Sequence, residues 1–312
     1  MAKSENNLVQ EIKKWVVNDY FTPNIKAEVI LDALLTRYAA EIIEEQFRDG
    51  PCFQGTLCFV TKEMSVLDLE KPKEKPTYGN MGTKIDYILA DDRAFYLVEL
   101  KTTDSSIKQT QADRYRSNCS GNDKTFGTVF GQKLLSIVKD AFAKTYAEEF
   151  HKKFGEDPAA WNDETLEAAF QLVFDTAHLG SKYDVAAPSH CYAEAAKRLI
   201  QKAGWAQTDD TRSRKYLYTM GQLLDYRTTI GRQQELTKDT FWSRPLKLIY
   251  LTPYGSLPHK DYLQDPEFYL HPKGKGSVSL IKAGKYLMEK IDDDFARLLA
   301  DIITEIYLED RV

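Results

Sequence analysis

The spacing of apolar and polar positions shifts along the chain, and the shifts divide it into elements. A stretch from about Leu8 to Tyr20 is amphipathic at helical period. After the Phe21-Thr22-Pro23-Asn24 loop, a longer helix is predicted from about Ile25 to Phe47. Its apolar positions Val29, Leu34, Leu35, Tyr38, Ile42 and Ile43 fall at helical spacing, and Asp49-Gly50 supplies the stop. A β-like stretch from Thr56 to Leu67 leads into a loop rich in Lys, Pro and Gly. Two dense apolar segments follow, Lys84–Ala90 and Ala94–Lys101, separated only by Asp91-Asp92-Arg93, a pattern that predicts a β-hairpin.

From about Phe126 to Arg232 the pattern is helical in pieces. The pieces are Val129–Phe154, Asp163–His178, Ser189–Gly204 with Ser189 as N-cap, and Tyr216–Ile230. A strand over Pro245–Pro253 precedes a Pro/Gly-rich loop, and C-terminal helices including Phe295–Leu308 close the chain. Helix, three strands, helices and a strand form an α/β layer architecture. The expected organisation is an N-terminal part over 1–117 with the first helices and the three strands, and a helical insertion over 118–215. The last core helix, last core strand and C-terminal helices then fill 216–312.

Composition narrows the class. With 312 residues, 43% hydrophobic and 29% charged, the chain can bury one substantial core and carry large insertions. No apolar run reaches the roughly 18 residues that cross a bilayer, and residues 1–15 lack a signal-peptide core, so a cytoplasmic location is expected. Cys52, Cys58, Cys119 and Cys191 show no C-x-x-C spacing, and the five histidines form no H-x-x-x-H pair, which argues against zinc. Net charge is −5, adverse for a nucleic-acid binder. Basic residues still gather locally, at Lys71–Lys75, Lys108–Arg116, Thr211–Lys215 and His271–Lys275. Their plain reading is solvated surface.

The hairpin carries the candidate chemistry. Alternation puts Phe95, Leu97, Glu99 and Lys101 on one face of the second strand and Asp86 with Ile88 on one face of the first. A two-residue loop at Asp92-Arg93 pairs Ala94 with Asp91 and sets Asp86 opposite Glu99, with Cβ atoms roughly 5 Å apart. A three-residue loop would send them to opposite faces. Opposed carboxylates repel unless a divalent cation bridges them, and Mg²⁺ favours one or two carboxylates plus water and phosphate. Lys101 points the same way, where an ammonium can hold water or neutralise charge growing on a phosphate. Two carboxylates and a lysine suffice for phosphodiester hydrolysis. The plain alternative is a buried ion pair between Lys101 and an acid.

Gly82–Leu89, a short turn and Phe95–Lys101 resemble the motif of the PD-(D/E)XK nuclease superfamily. Ile85 stands where that motif often has proline. The resemblance implies a restriction-endonuclease-like α-β-β-β-α-β core, a mixed sheet flanked by helices, with the large helical insertion added. It implies Asp86 and Glu99 as metal ligands, Lys101 as the catalytic lysine, and Mg²⁺ (or Mn²⁺) as cofactor. A further acid on the first core helix is assigned to Glu28, leaving Glu41, Glu44 and Glu45 as a solvated face. Relatives of the RecB type carry Q-x-x-x-Y after the lysine strand. Gln111/Tyr115 and Gln222/Tyr226 both fit, the second on the helix just before the last strand. Gln111 and Tyr115, closer to the lysine, are assigned to the catalytic set, and the plain reading of the Gln222 pair is core packing and helix surface.

The implied activity is metal-dependent cleavage of nucleic acid, DNA foremost, with Lys108, Arg114, Arg116, Gln222 and Tyr226 as candidate contacts and no membrane partner. Tyr216, Tyr218, Trp242, Tyr250 and Tyr254 offer rings for base stacking or for packing. Competing expectations are a non-catalytic, nucleic-acid-binding or scaffolding member of the same fold, and an unrelated α/β protein. A homo-oligomer or partner protein stays open.

Overall fold

The computed structural model describes residues 13, 27–49, 53–65, 84–103, 106, 108–155, 168–173, 191–207, 211–233, 242–256, 265–272 and 276–308. The predicted first helix lies outside these residues except for Lys13, whose ammonium pairs with Asp301 and Glu305. The predicted helix over Asp163–His178 is described only at 168–173, which are helical.

Contact density divides the chain into two units, one over 1–65, 72–121 and 246–312, the other over 66–71 and 122–245. The first unit contains α1 (Ala27–Gln46), β1 (Cys58–Ser65), β2 (Lys84–Ala90), β3 (Phe95–Leu100) and α2 (Gln109–Cys119). After the second unit it resumes with β4 (Leu246–Thr252), β5 (Val278–Ser279), α7 (Leu280–Lys290) and α8 (Asp294–Leu308). The strands form one open mixed sheet in the order β1-β2-β3-β4-β5, antiparallel from β1 to β3 and parallel from β3 to β5. The architecture is α/β, as the element order implied. No helix among the described residues is long and apolar enough to cross a membrane.

β3 is the central strand and every residue in it is buried, which explains why its sequence reads as a continuous apolar run. On one face of the sheet, Tyr87, Leu89, Tyr96, Val98, Leu100, Ile249 and Leu251 pack with Leu31, Leu35, Ile42 and Ile43 of α1 and with Leu287, Leu299 and Ile303 of α7 and α8. Each such side chain contributes about 1.5–3 kcal/mol on leaving water. The opposite face carries Asp86, Glu99 and Lys101.

The second unit holds α3 (Gln132–Thr145), α4 (Ala147–Phe154), α5 (Cys191–Lys202) and α6 (Thr211–Gln233). A π-helical turn, Gly127–Gly131, precedes α3, and the single helix predicted over Val129–Phe154 breaks at Tyr146. There the Thr145 hydroxyl donates to the Ala141 carbonyl at 2.7 Å, competing with the backbone ladder. α5 and α6 touch closely, because a Cβ at Gly221 would lie 2.7 Å from the Tyr192 carbonyl oxygen. Asp225 of α6 caps α5 by accepting from the Tyr192 and Ala193 amides at 2.8 and 2.9 Å.

Two expectations about organisation differ from this arrangement. The division falls at Gly121/Asn122 and Pro245/Leu246, so α6 groups with the second unit and not with the core. The helix that follows the lysine strand on the sheet is α2 itself. β5 is two residues long, too short for a periodic signal, and exists because Val278 pairs beside Leu251.

Candidate active site

Asp91 sets the hairpin geometry. Its carboxylate accepts from the Arg93 amide (2.8 Å), the Ala94 amide (2.9 Å), the Tyr96 hydroxyl (2.7 Å) and the Gln54 amide (2.6 Å). Asp91 N–H donates to the Ala94 carbonyl at 3.2 Å, closing a two-residue loop over Asp92-Arg93. Gly55, at φ 78°, lies against this turn; a Cβ there would come within 2.5 Å of the Asp92 carboxylate. The register follows, pairing Ala90 with Phe95 and Tyr87 with Val98. One step further, it puts Asp86 opposite Glu99, on the face away from α1.

Glu99 is almost fully buried, 2% exposed, and donors surround it. Lys101 Nζ lies 2.5 Å and Gln111 Nε2 2.7 Å from Oε1, which fills both lone pairs of that oxygen. The Tyr115 hydroxyl lies 2.5 Å from Oε2 and 2.7 Å from the Lys84 carbonyl, so its one proton serves two acceptors. Gln111 Nε2 donates to the Tyr115 oxygen at 3.0 Å, and Gln111 Oε1 accepts from Lys101 at 3.0 Å. Gln111 and Tyr115 reach Glu99 together because they stand one turn apart on α2. Burial pushes the Glu99 carboxyl up, while Lys101, Tyr115 and Gln111 pull it back down. Burial and the Glu99 charge together raise the Tyr115 phenol well above its ordinary value.

Asp86 is less tightly held. Its Oδ2 accepts the Leu100 amide at 2.6 Å, taking over where the strand ladder ends, and Oδ1 accepts nothing among the described residues. Burial, and then the Glu99 charge, push this carboxyl up to about 8, with the Leu100 amide and Lys101 opposing. Asp32 on α1 adds to that push. Its Oδ2 accepts from Lys62 at 3.3 Å, and its buried Oδ1 has no hydrogen-bond partner among the described residues. Tyr250 stands beside Glu99 on β4, is 3% exposed, and has its phenol raised first by burial and then by Glu99.

The chain thus gathers Asp86, Glu99, Lys101, Gln111 and Tyr115 into one network. Glu28 lies in the first turn of α1, but its side chain is outside the described residues. Among the described residues, the Asp32 charge, one turn further on along α1, acts on Asp86. Sequence reasoning missed it, and the available signal was the helical repeat, since residues 28 and 32 share a face. Gln222 and Tyr226 belong to α6 in the second unit, while Lys108, Arg114 and Arg116 are exposed at α2. Arg116 comes to 4.0 Å of Asp265. Glu41 is exposed as expected, whereas Glu44 and Glu45 are half-buried, and all three line a cavity with Phe47, Phe53 and Tyr286. Tyr216 and Tyr250 are buried and so not free to stack bases, whereas Tyr254 is exposed.

Among the described residues no three His, Cys, Asp or Glu side chains form a ready-made cage for a metal ion. Among the described residues, protein donors leave over Asp86 Oδ1 and one lone pair on Glu99 Oε2 at the facing acids. Such a set of hard oxygens suits Mg²⁺, which retains several waters and takes few protein ligands. No protein-family model, curated protein or solved structure matches the chain.

Proposed function

We propose that this protein is a divalent-metal-dependent nuclease that hydrolyses phosphodiester bonds in nucleic acid, DNA foremost, on a restriction-endonuclease-like core. The observation that carries the reading is the hairpin register, which sets Asp86 opposite Glu99 with Lys101 two residues on, at the end of the central strand. Two facing acids on inner strands of a buried sheet cost stability unless a cation compensates them.

Asp86 Oδ1 and Glu99 Oε2 would hold the ion, which when bound supplies positive charge against the charge developing on the phosphate. Gln111 and Tyr115 orient Glu99, so its remaining lone pair is fixed in direction. The Lys101 ammonium, held between Glu99 and Gln111, is placed to hold the attacking water or to offset charge on a non-bridging oxygen.

One observation favours a second reading. Lys101 and Glu99 form a closed buried pair with Gln111 as a shared partner, an arrangement that also suits a non-catalytic scaffold of the same fold. Cleavage assays separate the two. Wild type and Lys101→Ala are incubated with single- and double-stranded DNA and RNA, with and without Mg²⁺ or Mn²⁺. The nuclease reading expects metal-dependent cleavage by wild type alone. A folded wild type that cleaves nothing sinks it in favour of the scaffold.

A further inference from the structure

In the second unit, three exposed cations share one neighbourhood with no carboxylate partner among the described residues. Lys202 Nζ, at the end of α5, lies 3.5 Å from the ring centroid of Tyr146, and Lys144 Nζ, in the last turn of α3, lies 5.1 Å from that of Trp205. The two contacts cross, since residues 144–146 give a cation and a ring to 202–205 and receive one of each. Arg198, one turn before Lys202, is exposed and acts electrostatically on Tyr146. None of these three cations lies within 4.0 Å of a carboxylate among the described residues. Lys197, next along α5, is paired with Glu194.

The type of partner decides what the cation can still do. A lysine paired with a carboxylate is neutralised, whereas a lysine over an aromatic ring is held in position with its charge intact. Holding it there also removes rotamer freedom that a binding event would otherwise have to remove. The acids on the same elements are Asp140, Glu148, Glu149 and Glu194, and of these Glu149 faces Tyr146. Cations at the ends of α3 and α5 also complement the helix dipoles, but that benefit requires neither the rings nor Arg198.

We propose that Lys144, Arg198 and Lys202 form a surface on the second unit that binds the phosphate backbone of nucleic acid. The choice of polyanion rests on the nuclease reading; the surface itself does not. Arg198 and Lys202 are about 6 Å apart along α5, so they present two charges in a row to a chain of phosphates.

The test is oligonucleotide binding by fluorescence anisotropy in EDTA, without cleavage, as salt is varied. The full chain is compared with the triple variant Lys144→Gln/Arg198→Gln/Lys202→Gln and with Lys197→Gln. Loss of three phosphate contacts should flatten the slope of log K against log[salt] by about 2 on single strands and by nearly 3 on duplex. Lys197→Gln should leave the slope unchanged, and Lys144→Arg/Arg198→Lys/Lys202→Arg should restore it. Circular dichroism melting verifies that each variant is folded. An unchanged slope in the folded triple variant overturns the proposal. So does a wild type that binds no oligonucleotide at about 50 mM salt, or one that binds phosphatidylserine vesicles in place of nucleic acid. Hydrolysis of bis(p-nitrophenyl) phosphate with Mn²⁺ is read in parallel, because so small a diester does not need the surface. The triple variant should keep the wild-type rate. If wild type shows no hydrolysis while the slope still changes, the nuclease reading fails and the surface stands. If hydrolysis is present and the slope is fixed, the surface fails alone.

Discussion

At the residue scale, Glu99 and Asp86 carry the same functional group in opposite circumstances. Glu99 is held by Lys101, Gln111 and Tyr115, whereas Asp86 has one amide donor and a like charge across the hairpin. Asp86 stands at about 8 in the fold against 3.8 ordinarily, so its neutral form favours folding. That contribution is fully present below about pH 4 and is lost as pH rises through about 8. Without metal, the wild-type melting temperature should therefore fall across this window relative to Asp86→Asn. Mg²⁺ should raise it more at pH 8 than at pH 5, because binding requires the ionised carboxylate. If the two proteins melt in parallel across pH, Asp86 is not strained in this way. For chemistry, Lys101→Ala should lower metal-dependent kcat by about 10²–10³ with a smaller change in KM, the size found for removing one charge-stabilising donor. Steady-state assays over a range of substrate concentration measure both.

At the element scale, the hairpin register connects folding to function. Asp91 accepts four hydrogen bonds in and around the turn, and Asp91→Ala leaves those donors without a partner. The expected loss is about 2–4 kcal/mol of unfolding free energy in urea titration. A glycine inserted between Asp92 and Arg93 tests the geometry more directly. If β3 shifts by one residue against β2, Glu99 and Lys101 move to the α1 face. Cleavage should then vanish while a cooperative melting transition persists, and a folded insertion variant with wild-type activity would show that the site lies elsewhere.

At the scale of the whole molecule, the chain leaves the first unit after Gly121 and returns at Leu246. The strands of its exit and return pair with each other, since the Phe126 amide donates to the Arg244 carbonyl at 3.0 Å and Thr125 bridges Pro245. An insertion with adjacent ends can be removed without stretching the host. Replacing residues 122–245 with a short Gly/Ser linker should leave a cooperatively folding first unit, read by calorimetry, that still hydrolyses a small diester. A shortened protein that is molten or insoluble would show that the first unit needs the second to fold.

By itself, the sequence determined the pairing of β2 and β3. Apolar runs on either side of Asp91-Asp92-Arg93 put Glu99 and Lys101 on one face by periodicity alone, whereas Asp86 joins them only through the two-residue loop that the folded Asp91 turn closes. Gln111 and Tyr115 were named through the family resemblance, since helical spacing alone fits Gln222 and Tyr226 as well. Tertiary structure decided what depends on contacts distant in sequence. It packed Gln111 and Tyr115 of α2 against Glu99, and it grouped α6 with α5 in the second unit. It set the Asp32 charge to act on Asp86 across more than fifty residues of sequence, and it made a strand of Val278–Ser279 by offering the edge of β4. Periodicity records which face of an element is buried, whereas the neighbour on that face is chosen by the packing of the whole chain.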